Sequence, residues 1–272
     1  MISTLEKEIT FRFLKARKKD GFLNVISIFS FIGISLGVAV LIIVMSVMNG
    51  FRTELINKIV GFNSHVTVKP YSNSIDESKI NNKLNLISKN IIFSNSGEAI
   101  ILKNNNTKGI VLRGYKRNDL LNLEVLTNEK FKGELNQFDK NSISIGSELS
   151  FSLDLEIGDE LTLMSPSGVQ TIIGSMPKQK TFVVNSIFNS GLAEFDNNIA
   201  FIELNVLEEF FGYNPDERNL EIYLKNPNNI ESQKLIVKQV FDDEFVFSWA
   251  DMNRDRKSTR LNSSHRCISY AV

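Results

Sequence analysis

Histidine, cysteine and paired carboxylates carry most nucleophilic, metal-binding and acid–base chemistry in proteins. Before residue 255 this chain offers one histidine, His65, and no cysteine; His265 and Cys267 follow near the C-terminus. His65 adjoins the strand-like Val66, and a solitary imidazole in that place reads as a surface or packing residue. A lone cysteine allows neither an internal disulfide nor a cysteine zinc site. Carboxylates gather at Glu208-Glu209 and at Asp242-Asp243-Glu244, which read as solvated faces of helices or loop ends. No glycine-rich loop ends in Gly-Lys-Ser/Thr, so ATP is not expected to bind by that route. We therefore assign no catalytic residue, no metal ligand and no cofactor to this chain. The residue types point to binding or coupling instead of catalysis.

The elements that would carry such a role begin with an uncharged block. The 272 residues hold 31 Lys+Arg against 31 Asp+Glu, a balance that argues against a nucleic-acid partner. Both ends are nevertheless basic, net +3 over residues 1–20 and net +3 over residues 255–272, leaving −6 between them. From Gly21 to Phe51, 31 consecutive residues carry no charge, and a bilayer core needs only about 20 residues of helix. The block ends in Met48-Asn49-Gly50-Phe51-Arg52 without a small-x-small cleavage site, which favours a retained span over a signal peptide. Arg17-Lys18-Lys19 at its entry places the N-terminus in the cytoplasm and everything after Phe51 on the other side. Upstream, Leu5, Ile9, Phe11, Phe13 and Leu14 mixed with bases fit either a short interfacial helix or a solvated basic stub. Gly33 and Gly37, four residues apart, give the span a face for close helix packing.

Beyond the span, residues 66–250 alternate strand-like and helical runs. Helical spacing at Ile80, Leu84 and Ile87 precedes an apolar run at Ile91–Phe93. Ala99–Leu102 and Gly109–Tyr115 flank Asn104-Asn105-Asn106 as a hairpin would. Further strands are expected at Ser142–Ile145, Glu160–Met164, Thr181–Ile187, Ile199–Phe201, Leu220–Leu224 and Phe245–Trp249, with helices at Val206–Phe211 and Glu231–Phe241. The reading is an α+β domain in two lobes behind one transmembrane helix.

Several segments then carry a resemblance. RKKDGF (Arg17–Phe22), the span ending SVMNGF (Ser46–Phe51), IGSELS (Ile145–Ser150), GDELTLMSP (Gly158–Pro166), PKQKTFVV (Pro177–Val184), IFNSG (Ile187–Gly191) and Trp249–Asn253 together resemble LolC/LolE-type permeases, across nearly all of residues 5–254. These are membrane subunits of the ABC transporter that releases lipoproteins from the bacterial inner membrane. The resemblance implies one membrane helix followed by a mixed α/β periplasmic domain, a MacB-like periplasmic core, with three more membrane helices after it. It implies three protein partners: a LolD-type ATPase that uses ATP and Mg in a separate subunit, a second LolC/LolE-type permease subunit, and the periplasmic chaperone LolA. Lipoprotein substrates and membrane lipid complete the expected contacts.

By the same resemblance, the outer end of the span, with Val44, Met45 and Met48, faces a cavity for lipoprotein acyl chains. Contact with membrane lipid or a neighbouring helix fits each of these residues equally well. The family's chaperone-recruiting hook corresponds to residues 164–181, with Gly174-Ser175-Met176-Pro177 as its tip and Lys178, Gln179 and Lys180 as its return. Val169, Ile172, Ile173 and Met176 would be its apolar anchors, and Lys178 and Lys180 would steer an acidic partner. A hook favours the LolC-like or hybrid subunit over a LolE-like one.

The expected division is thus a cytoplasmic segment 1–20, a transmembrane helix 21–51, a periplasmic domain 52–254 and a tail 255–272. The tail sequence RKSTRLNSSHRCISYAV (256–272) resembles translated sequencing-adaptor DNA and is expected to be non-native. A single-span anchored periplasmic binding protein or enzyme, unrelated to transport, stands as the alternative.

Overall fold

The structure, a computed structural model, describes residues 4–14, 21–71, 74–103, 106–166, 169–171, 174–249 and 251. The tail 255–272 lies outside the described residues. The chain divides into two units, between Ile56 and Asn57. The first holds helix α1 (Thr4–Leu14) and most of helix α2 (Gly21–Phe62). Within α2, Val25–Phe51 is long and apolar enough to cross a membrane by length and composition. The helix does not stop where the uncharged block stops: it runs unbroken past Arg52, Glu54 and Lys58 to Phe62. Charge sets where a membrane core ends, whereas these residues remain good helix formers.

The second unit has two lobes. The first is built from β1 (Val66–Lys69), α3 (Asn82–Ile87), β2 (Ser88–Lys103), β11 (Asn219–Leu224), α9 (Ile230–Val240) and β12 (Phe245–Ser248). Its strands lie in the order β12-β1-β11-β2, with every neighbour antiparallel. That is a split β-α-β arrangement of ferredoxin-like type, two interlocked β-α-β units on one sheet. Period-two residues from β1 and β11 (Val66, Val68, Leu220, Ile222, Leu224) meet Leu84 of α3 and Val237 of α9 in one buried cluster.

The second lobe is inserted between β2 and β11 and closes into a barrel. Its further strands are β3 (Asn106–Tyr115), β5 (Ser142–Gly146), β6 (Glu160–Met164), β9 (Gln179–Phe188) and β10 (Ile199–Glu203). Pairing runs β2-β3-β10-β5-β9-β6 and returns from β6 to β2, so these six strands form a ring. Each strand sends alternate residues inward: Ala99 and Ile101, Ile110 and Leu112, Ile143 and Ile145, Leu161 and Leu163, Phe182 and Val184, Ala200 and Ile202. Asn185 is an extra residue in β9 that shifts its register against β5, as a β-bulge does where a barrel bends. Helices α6 (Ser147–Leu153) and α8 (Leu204–Phe211) add Leu149, Leu153, Val206, Leu207 and Phe210 to the same core. The connections hold short helices α4 (Arg117–Leu120), α5 (Glu124–Thr127) and α7 (Ala193–Asn198) and a two-residue strand β4 (Lys132–Gly133) beside β9.

The lobes share β2, which pairs with β11 through Ser88–Ser94 and with β3 through Ser94–Lys103. At that crossing the half-buried Glu221 carboxylate accepts hydrogen bonds from Ser94 Oγ (2.7 Å), Tyr115 Oη (3.0 Å) and Tyr223 Oη (3.0 Å). Burial, and then the Glu221 charge, push both phenols upward, so each remains a donor at any physiological pH. Phe62 stacks on Phe195 with centroids 4.6 Å apart, and the Arg113 guanidinium lies 5.3 Å from the Phe62 ring centre.

Adjacent residues of one strand test the barrel reading. Ile101 points inward and is fully buried, while Ile100 faces outward and is half-buried. Ile101→Ala is expected to cost about 2–5 kcal/mol. Ile100→Ala should cost clearly less, and chemical unfolding of the two variants measures the difference.

Candidate functional site

Among the described residues, the titratable groups that the sequence singles out take part in packing and ion pairs. His65 is buried, and its Nδ1 accepts a hydrogen bond from Leu224 N–H at 2.7 Å. Glu208 corrects the expectation of a solvated acidic face. Its side chain is 7% exposed and forms a bidentate pair with Arg218 at 2.6 and 2.7 Å, while neighbouring Glu209 is exposed. The α8 face that carries Glu208 turns inward because Val206, Leu207 and Phe210 anchor it on the barrel. Asp242 and Asp243 are exposed as read from the sequence, with Lys79 Nζ at 3.7 and 4.0 Å. Among the described residues, no three of His, Cys, Asp and Glu gather as a metal site would require.

The residues assigned to binding fall in two places. Gly33, Gly37, Val44, Met45 and Met48 lie along α2 within the candidate span. Val44, Met45 and Met48 are 52%, 67% and 60% exposed, and a Cβ added at Gly33 or Gly37 would meet nothing within 4 Å. Apart from Ser27, Ser30, Ser35 and Ser46, Val25–Met48 is apolar and uncharged, the condition under which a helix rests against lipid or another helix.

The second place is a hairpin between β6 and β9. Strands β7 (Val169–Thr171) and β8 (Gly174–Met176) form a two-stranded sheet of their own, with Val169 opposite Met176 and Thr171 opposite Gly174. The chain therefore reverses between Thr171 and Gly174. Ile172 and Ile173 lie outside the described residues. This moves the tip from where the sequence placed it: Gly174 and Met176 belong to the returning strand, and the exposed Pro177 follows that strand toward the barrel. Glycine and proline suggested a turn, but here Gly174 sits just after the reversal and Pro177 ends β8. The β6–β9 ladder closes at Ser165 N–H to Lys178 C=O, 2.8 Å. Lys178 Nζ donates to Glu209 C=O at 2.5 Å, and Lys180 Nζ lies 5.3 Å from the Phe182 ring centre.

With this architecture in view, comparison with known proteins is informative. A family model described as the MacB-like periplasmic core domain matches residues 27–238, and the chain belongs to that family. Within it, the chain resembles permeases of the LolC/LolE type. It is 26% identical over 261 residues to "Lipoprotein-releasing system transmembrane protein LolC" of Neisseria meningitidis, covering 92% of this chain and 62% of that protein. It is also 26% identical to LolC of Xylella fastidiosa, covering 77% and 52%, and 26% identical to LolE of Haemophilus influenzae, covering 80% and 55%. The chain thus spans just over half the length of these relatives. Among solved structures, the periplasmic region of MacB from Actinobacillus actinomycetemcomitans aligns with a TM-score of 0.41 at 12% identity, over 73% of this chain and 95% of that one. The extracellular domain of the ABC-type transporter YknZ aligns with a TM-score of 0.39 at 13% identity, over 67% and 100%.

The last described residues show how the domain is closed off. Asp251 Oδ2 accepts hydrogen bonds from Lys234 Nζ (2.5 Å), Ser248 N–H (2.8 Å) and Ser248 Oγ (2.7 Å), fixing the end of β12 to α9. Burial alone would raise this carboxyl, but the hydrogen bonds from Lys234 and Ser248 outweigh it and hold the group at about 2 against an ordinary 3.8. A carboxyl lowered on folding stabilises the fold fully above its unfolded value, and that share is lost as pH falls through the folded value. The stability gap between wild type and Asp251→Asn should therefore be full above 3.8 and shrink as pH falls toward 2, as read by chemical unfolding across that range.

Proposed function

We propose that this chain is part of a membrane permease subunit of a lipoprotein-releasing ABC transporter, of the LolC-like or hybrid kind. It extracts outer-membrane-destined lipoproteins from the bacterial inner membrane and hands them to a periplasmic LolA-type chaperone. The observation that carries this reading is the β7–β8 hairpin, standing off the β6–β9 pair in a chain similar to named lipoprotein-releasing proteins along most of its length. Among the described residues the hairpin shares no ladder with the main sheet, so neither strand has a second strand partner, which suits capture of a soluble partner. The apolar span with Val44, Met45 and Met48 is the part that meets acyl chains, since methionine adapts to irregular apolar partners. ATP is hydrolysed by a separate LolD-type subunit, and a second LolC/LolE-type subunit completes the membrane assembly.

Two measurements test the reading. Alkaline phosphatase, which is active only outside the cytoplasm, is expected to be active when fused after Asn63 and inactive when fused after Asp20. The opposite pattern refutes the orientation. Met176→Asp and Pro177→Gly are each expected to weaken capture of a LolA-type chaperone by the full chain about tenfold or more, the scale on which one anchor residue acts. Far-ultraviolet circular dichroism should stay unchanged in both. Undiminished capture by both variants would refute the hairpin's role.

A further inference from the structure

The root of the hairpin is held at one residue. Met164 pairs with Gln179 in the β6–β9 ladder, and a continued register would set Val169 opposite Gly174. Val169 instead lies opposite Met176, so β7 and β8 do not extend that ladder and, among the described residues, pair only with each other. Lys178 makes the last ladder bond on the barrel side, its carbonyl accepting from Ser165 N–H at 2.8 Å. Its side chain makes a second bond in another direction, to Glu209 C=O at 2.5 Å.

The acceptor is a helix terminus. Helix α8 ends at Phe211, where Gly212 N–H and Tyr213 N–H both donate to Glu208 C=O, and Lys178 supplies the partner for the next carbonyl, Glu209. A lysine ammonium suits this place by hydrogen bonding and by its charge at the negative end of the helix. The helix is itself closely packed. A Cβ at Gly97 would fall 2.6 Å from Phe211, one at Gly114 would fall 2.9 Å from Leu207, and the Glu208–Arg218 pair grips the other flank. Lys178 is thus bonded to a helix that is closely packed on the barrel.

We infer that Lys178 is a positioning residue: by holding the hairpin root on the C-terminal carbonyl of α8, it fixes the angle at which the β7–β8 hairpin leaves the barrel, and it does not itself contact the partner. This deepens the proposed docking role of the hairpin and rests on it for its functional meaning. It also gives Lys178 a place other than the steering role first expected of it, because its ammonium is bonded to α8.

The test reads the angle directly, without the chaperone. In the full chain, with Cys267→Ser, spin labels at Gln170→Cys on the hairpin and Phe151→Cys on the exposed side of α6 report an interspin distance by pulsed electron resonance. A single narrow distribution is expected for the otherwise native chain. Lys178→Met, which keeps the stem and removes the cation, is expected to shift the mean and lose the single peak. Lys178→Arg, which still reaches a carbonyl with a cation, restores it. An unchanged distribution in Lys178→Met overturns the inference, and so does an equal shift in Lys178→Arg. Chaperone capture is measured separately on the same proteins. A hairpin that shifts in Lys178→Met, in a chain that captures no chaperone even when native, upholds the positioning role and refutes the docking role.

Discussion

One strand, Ser88–Lys103, has to satisfy backbone hydrogen bonds in two lobes at once, and the rest of the domain follows from that constraint. Its first half completes an antiparallel sheet with β11, while its second half starts and also closes the barrel by pairing with β3 and β6. A buried strand with an open edge would leave unpaired N–H and C=O groups, each costly away from water. The crossing is therefore sealed by side chains. Ser94, Tyr115 and Tyr223 donate to Glu221, and Arg113 donates to Asn63 Oδ1 at 2.7 Å just beyond Phe62. These donors offset the partial desolvation of the half-buried Glu221 carboxylate, so the two lobes and the end of α2 are held by one polar knot.

Much of this was legible in the sequence because barrel strands alternate. Ile143/Ile145 and Leu161/Leu163 announce strands through alternation of apolar and polar residues, Ile199–Phe201 through a short continuous apolar run, and the hairpin between Leu102 and Gly109 follows from its asparagines. The unity of β2 was not legible. Ser94-Asn95-Ser96-Gly97 looks like a break between two strands, yet Ser94 is polar because it serves Glu221, and Gly97 is small because Phe211 lies against it. Local pattern cannot show a partner more than a hundred residues away. Ring closure is hidden for the same reason, since β2 and β6 meet only in space.

The candidate site shows the same division. Composition alone marked Gly21–Phe51 as an uncharged, apolar block, and Gly33, Gly37, Val44, Met45 and Met48 lie on α2 within it. Strands β7 and β8 pair around a reversal between Thr171 and Gly174, so Gly174 and Pro177 carry turn chemistry without being at the turn. The burial of Glu208 also escaped notice, since its partner Arg218 lies in a different segment and two adjacent carboxylates look alike in a sequence.

His65 shows why a residue with chemical capacity need not use it. Its N–H donates to Ile222 C=O at 3.1 Å, its carbonyl accepts from Trp249 N–H at 3.2 Å, and its imidazole accepts from Leu224 N–H. It therefore joins three strands of the first lobe: β1, where the chain leaves α2; β12, near the end of the described residues; and β11, where the chain returns from the barrel. Val66 lies opposite Ser248, so the chain's entry to the first lobe and its exit lie side by side. The barrel, inserted between β2 and β11, contributes nothing to that seam and can carry a hairpin without disturbing it. An insertion whose own ends are adjacent is the arrangement in which one lobe can specialise in contact while the other holds the chain's path.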